Sequence, residues 1–212
     1  MEISAKLVKE LRDRSGAGMM ECKKALQEAE GNLAEAEIIL RKRGLSSAAK
    51  KAGRSTRQGV IGSYIHPGSQ LGVLVEVNCE SDFVARTEDF LELVKDIAMQ
   101  VAAADPQFIR KEDVTPDALA KEMDIQRDRA RQEGKPEKML DKIVEGRMNK
   151  YYEEVCLYEQ PFIKENTTSV ADLIKSKIAK LGENISISRF VRFKVGETVQ
   201  LEETAETTPP SE

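Results

Sequence analysis

The chain has 212 residues, 33% of them charged and 5% aromatic, with no Trp and a formal net charge of −4. That length supports one substantial domain or two small ones. The slight negative charge argues against nucleic acid as the main partner, and no apolar run is long enough to span a bilayer. Cys22, Cys79 and Cys156 are odd in number and far apart, without a CxxC pair. This fits a reducing, cytoplasmic location and argues against a disulfide framework or a zinc site. The amino-terminal stretch is charged and amphipathic from the outset, with no apolar signal core. Charge is unevenly spread: Arg41 to Arg57 holds seven basic residues and no acidic one, and residues 196–212 hold five acidic residues and no basic one.

Residues 1–44 read as three short helices. Ser4 caps the first, and Ile3, Leu7, Val8 and Leu11 recur at helical spacing. Ser15 to Gly18 form a turn. Met19, Cys22, Leu26 and Ala29 are the expected inner stripe of the second helix, which places Met20 beside Lys23, Lys24 and Gln27 on the solvent face. Met20 is then either a rim methionine of the core or an exposed, adaptable contact for a partner. Asn32 and Glu35 have capping-box spacing for the third helix, and Gly44 is its expected terminator. A basic connector of exposed helix or linker, residues 45–58, follows.

The core begins at Gly59. Val60 to His66 and Leu71 to Val77 flank Pro67-Gly68-Ser69-Gln70, a hairpin signal. Along the second strand Leu71, Val73, Val75, Val77 and Cys79 alternate against Gly72, Leu74, Glu76, Asn78 and Glu80. The strand stops at Glu80-Ser81-Asp82-Phe83, where a ring beside a carboxylate is either a buried plug or a group presented to something else. Thr87 caps a helix whose expected stripe is Phe90, Leu91, Val94, Ile97, Ala98 and Val101. Residues 116–155 are densely charged and broken at Gly134-Lys135-Pro136, which reads as a helical hairpin with Met139, Ile143, Val144, Tyr151 and Val155 on its better face. A helix from Val170 to Leu181 and a last strand carrying Ile185, Ile187, Val191, Phe193 and Val195 complete the pattern; Arg189 interrupts its apolar face. The fold class is α+β: an amino-terminal three-helix domain with its basic connector (1–55), a core of a small three-stranded antiparallel sheet packed with helices plus the charged hairpin (56–195), and an acidic, disordered tail (196–212).

Catalytic patterns are missing from the sequence. It has no GxxxxGK[ST], GxGxxG or HExxH, and its one histidine, His66, sits at a strand end beside a turn. The chain therefore reads as a binding protein without metal or cofactor, rather than an enzyme. A ribosome- or RNA-associated module using Arg41 to Arg57 and a protein adaptor using the first three helices are alternative readings.

Leu7 to Leu26 (LVKELRDRSGAGMMECKKAL), followed by Glu76 to Arg86 (EVNCESDFVAR), closely resembles the bacterial elongation factor Ts family, as do Tyr151 to Ile163 and Lys177 to Phe193. The resemblance runs from the start to about Val195. It implies a translation elongation factor that binds elongation factor Tu with GDP and promotes GDP release and exchange for GTP. It implies a UBA-like amino-terminal domain with Met19 and Met20 as contact methionines. It also implies that Ser81, Asp82, Phe83 and Val84 form the contact that disturbs the partner's Mg²⁺ and phosphate site. The family usually has Thr where this chain has Ser81. Ser keeps the hydroxyl and loses a methyl, so capping is expected to survive. The chain resembles the shorter type with one core subdomain, for which a homodimer is expected.

Overall fold

The computed structural model describes residues 3–197; the expected acidic tail lies, from residue 198 on, outside the described residues. The fold is α+β. Three helices open it: α1 (Ala5–Ser15), α2 (Met19–Glu28) and α3 (Leu33–Lys51). Strands β1 (Gln58–Ile65) and β2 (Leu71–Cys79) follow, then the single-turn α4 (Asp82–Ala85) and α5 (Glu88–Ala104). Next come α6 (Pro116–Gln132), α7 (Leu140–Val155), the short strands β3 (Pro161–Phe162) and β4 (Glu165–Ser169), α8 (Val170–Leu181) and β5 (Ile185–Lys194). The antiparallel sheet has the order β1-β2-β5. A second, two-stranded sheet pairs β3 with β4, an element too short for the sequence pattern to reveal.

The chain divides into two compact units. Among the described residues, one comprises the chain up to Val60 with Val77–Leu93 and Ala171–Ile187; the other comprises Ile61–Glu76, Val94–Val170 and residues 188–197. In the first unit, Ser4 Oγ accepts from the Leu7 amide and Asn32 Oδ1 accepts from the Ala34 and Glu35 amides, so both caps fall where the sequence puts them. Val8, Leu11, Cys22, Ala25, Leu26, Ala36 and Leu40 form a closed apolar cluster between the three helices. Gly44 does not end α3, which continues to Lys51. A Cβ at Gly44 would lie 3.0 Å from the Ala179 methyl. The glycine lets two helices come close; Leu45, Ala48, Ala49, Lys50 and Lys51 after it provide enough helix propensity to carry the helix on.

In the second unit the α5 stripe is Val94, Ile97, Ala98 and Val101, all buried. Gly62 on β1 meets this helix directly, because a Cβ there would lie 2.2 Å from Val94 Cγ1. Gln100, on the same stripe, is fully buried and satisfied. Its Nε2 donates to Gln160 Oε1 at 3.1 Å and to the Pro161 carbonyl at 3.2 Å, and its Oε1 accepts from the Ile163 amide at 2.9 Å. A buried amide pair of this kind costs little only when every polar atom is used. The expected helical hairpin is present as α6 and α7, laced by Arg127–Asp141 and Arg147–Glu133 ion pairs. Met139 is exposed rather than on the inner face, because it ends a 3-10 turn ahead of α7; Leu140 takes the buried place.

Along β5 the burial period slips by one residue. Ile185 and Ile187 are buried, but further along the even positions Phe190 and Arg192 turn inward while Arg189, Val191 and Phe193 are exposed. The inward-facing positions thus change between Ile187 and Phe190. This change explains why Arg189 interrupts the apolar pattern: Arg189 has turned to the outer face, where its Nε lies 2.7 Å from Glu76 Oε2 on β2. Val191 and Phe193 are exposed with it, so only the first half of the expected apolar face is buried.

Candidate partner-binding site

Both groups of sequence-predicted contact residues fall in the first compact unit. Met19 opens α2 and is 49% exposed; Met20 is 65% exposed. Met19 is therefore not on the inner stripe, which is Cys22, Ala25, Leu26 and Ala29. At the first helical position no preceding turn covers it, so both methionine side chains are left to solvent. Of the basic run, Arg43 pairs with Glu28 and Arg54 with Glu80, so two of its charges are already engaged within the protein.

The β2 strand ends on buried Cys79, and the chain turns through Glu80 and Ser81 into α4. Ser81 has extended backbone and acts as its N-cap: its Oγ accepts from the Val84 amide at 3.4 Å. Asp82 sits in the first turn, where a carboxylate is favoured by the orphan amides, and Arg86 Nη2 lies 3.0 Å from its Oδ2. Phe83 points away from the protein and is 82% exposed, the most exposed large apolar side chain among the described residues. The ring is a presented group, not a plug. Val84 is half-buried, and Ala85 is buried beneath the turn.

Two residues that the sequence reading did not single out, Glu183 and Asn184, hold this turn together with Glu80 and Cys79. Glu183, immediately after the helix-ending Gly182, places Oε2 3.1 Å from the Glu80 amide and 3.0 Å from the Ser81 amide; its Oε1 accepts from Ser81 Oγ at 2.6 Å. In return Glu80 Oε1 accepts from the Asn184 amide at 2.7 Å. Asn184 is buried, and its Nδ2 donates to the Ala52 and Arg54 carbonyls just beyond α3. Below the turn, the Cys79 thiol donates to the Ser81 carbonyl at 3.1 Å. Burial, with the Glu183 carboxylate adding to it, pushes the Cys79 pKa up, so the thiol keeps the proton that this bond uses. On the following helix, α5, Asp89 Oδ1 lies 2.6 Å from Nζ of Lys180 on α8, which holds that carboxyl below its ordinary pKa, with Lys177 contributing. The stem of Lys180 lies where a side chain on Gly16 would be, which brings the end of α1 to the same place.

Among the described residues no group of three His, Cys, Asp or Glu side chains could hold a metal ion, and no helix is long and apolar enough to cross a membrane. What the turn offers is an exposed aromatic ring, a half-exposed carboxylate beside it, and a braced backbone underneath.

Comparison with known proteins gives a consistent result. The model of the family described as elongation factor TS matches residues 15–198. The elongation factor Ts of Solibacter usitatus is 68% identical over 211 residues, covering 100% of this chain and 99% of that protein. That of Koribacter versatilis is 63% identical, covering 93% and 90% of the two chains. That of Thermosipho melanesiensis is 58% identical, covering 92% of this chain and 100% of its own.

Proposed function

The chain belongs to the elongation factor Ts family of translation elongation factors, and from this premise we propose that it binds elongation factor Tu carrying GDP and promotes exchange of GDP for GTP. The observation that carries the reading is Phe83, a large ring held in solvent on a braced turn that bears a carboxylate at the adjacent position. A GTPase of the P-loop type holds its nucleotide through backbone amides, a lysine and Mg²⁺. Mg²⁺ demands near-ideal octahedral geometry, so a small shift in its supporting loops weakens the site out of proportion. Phe83, with Val84 at its base, inserts between elements of the partner. Asp82 engages polar groups there, Ser81 keeps the turn in register, and Met19 and Met20 anchor the complex at a second point. The amino-terminal helices (1–55), in their UBA-like arrangement, and residues 56–195 act together, and the exchange takes place in the cytoplasm. The chain's part is to bind and displace, so it needs no cofactor or metal of its own and is not an enzyme. Linkage fixes the cycle: whatever factor this chain takes from GDP affinity, GDP takes equally from affinity for the chain.

The experiment is GDP release from purified elongation factor Tu. Addition of the chain is expected to accelerate release. Met20→Ala is expected to raise the concentration needed for half-maximal acceleration several-fold, because an exposed methionine leaving a contact forfeits at most about 1–2 kcal/mol, while the rate at saturation stays close to wild type. If the wild-type chain leaves the release rate unchanged, the exchange reading is wrong; if a fragment of residues 1–55 suffices, the adaptor reading replaces it.

The same chain is proposed to associate with a second copy through the outer sheet face. Ile61, Ile65, Leu74, Val191 and Phe193 are all exposed there, around the Arg189–Glu76 pair. A single self-complementary apolar patch suits an isologous contact. Sedimentation equilibrium is expected to show a concentration-dependent dimer that Phe193→Lys converts to monomer. A wild-type chain that stays monomeric at every concentration would rule this out.

A further inference from the structure

We propose that Glu183 is a positioning residue for the Phe83 contact, acting through the Glu80–Ser81 backbone, and that Asn184 ties this brace to the end of α3. This inference rests on the exchange reading and adds a residue to it. Its basis is geometric. One carboxylate satisfies three donors on two successive residues: the amides of Glu80 and Ser81 and the hydroxyl of Ser81. A hydroxyl has one proton to give, and here Glu183 takes it. That leaves a lone pair of Ser81 Oγ directed at the Val84 amide. The side chain that caps α4 is thus itself oriented by Glu183. Remove the carboxylate and the two amides lose their acceptor while the hydroxyl becomes free to rotate. Phe83 lies two residues beyond, on a helix of four residues that cannot hold its own geometry.

The brace is also reciprocal. The Glu80 side chain returns a bond to the backbone of Asn184, and the amide of Asn184 reaches the carbonyls of Ala52 and Arg54. Helix α3 runs from those carbonyls back to α2, which carries Met19 and Met20. The two contact points on the partner are therefore linked through hydrogen bonds to the end of α3 and through the apolar packing of α3 on α2, all within one compact unit. Such a linkage fixes the distance between an anchor and a wedge, and a wedge is effective only at a fixed distance.

The test is a double-mutant cycle on GDP release from elongation factor Tu, using the full chain as wild type, Glu183→Ala, Phe83→Ala and both together. Losing a charge-assisted acceptor at the turn is expected to lower the saturating release rate about tenfold, with the half-saturating concentration changing less. In the Phe83→Ala background the same substitution is expected to change the rate by less than about twofold, because nothing is then left to position. Glu183→Gln, which keeps the shape and one acceptor, is expected to fall between. Backbone amide exchange at Glu80 and Ser81 is expected to quicken in Glu183→Ala without a matching change elsewhere. The proposal is overturned if Glu183→Ala releases GDP at the wild-type rate, or if its effect is undiminished without Phe83, which would mark a general loss of folding. If wild type itself is inactive, the exchange reading falls and this proposal with it; if wild type is active and the cycle is additive, only this proposal falls. Glu183→Gln keeps the cycle readable should the alanine variant fail to fold.

Discussion

Replacing Phe83 by alanine is expected to lower the efficiency of GDP release by roughly tenfold to a hundredfold, the value of burying one large apolar side chain at about 1.5–3 kcal/mol. The melting temperature is expected to stay within about 2 °C of wild type, because a ring that is 82% exposed contributes almost nothing to the folded state. The combination discriminates between readings. A core residue would lose stability along with activity, and an incidental surface residue would lose neither. Release kinetics and a thermal melt on the same preparation settle it. An unchanged release rate would remove Phe83 from the contact.

Phe90, seven residues further on, is expected to behave in the opposite way. It is fully buried at the start of α5. Phe90→Ala removes its packing and leaves a cavity, at a cost of about 3–5 kcal/mol. Against a total stability of about 5–15 kcal/mol that is a large fraction. The melting temperature is expected to fall by roughly 10 °C. The fraction that remains folded is expected to release GDP at close to the wild-type rate, since the Ser81 turn is braced by Glu183 rather than by the ring. A melt unchanged from wild type would mean that the site collapses around the smaller side chain. The two phenylalanines differ in fate because Thr87 intervenes: its Oγ1 donates to the Val84 carbonyl at 2.8 Å and accepts from the Phe90 amide at 3.3 Å, closing one short helix and opening the next. That turn rotates the chain between the two rings.

Local patterns made most of this visible in advance. The hairpin at Pro67 to Gln70, the caps at Ser4 and Asn32, the alternation along β2 and the stripe of α5 each depend on residues a few positions apart, and each is found. Leu91, expected in the α5 stripe, is exposed, and Leu93 is buried instead, a difference of two positions on one helix. Met19 shows the same error at a helix start, where periodicity has no preceding turn to refer to. The candidate turn itself was legible as an acid and a ring at a strand exit, but whether the ring faced in or out was not. That depended on Glu183, about a hundred residues away in sequence, where Gly182 announced only the end of a helix. No local rule pairs residues 80 and 183, because their meeting follows from β2 and β5 lying side by side. The buried Gln100–Gln160 pair was hidden for the same reason.

The one-residue slip in β5 makes that strand sensitive to counting as well as to composition. Its first half supplies Ile185 and Ile187 to the interior, and its second half leaves Val191 and Phe193 exposed. Deleting one codon between Ile187 and Phe190 would change no chemistry in the rest of the strand, yet it would exchange the two faces of everything downstream. Arg192 would be turned to solvent and Phe193 into the interior. For this strand the length of the message carries structural information as well as its letters.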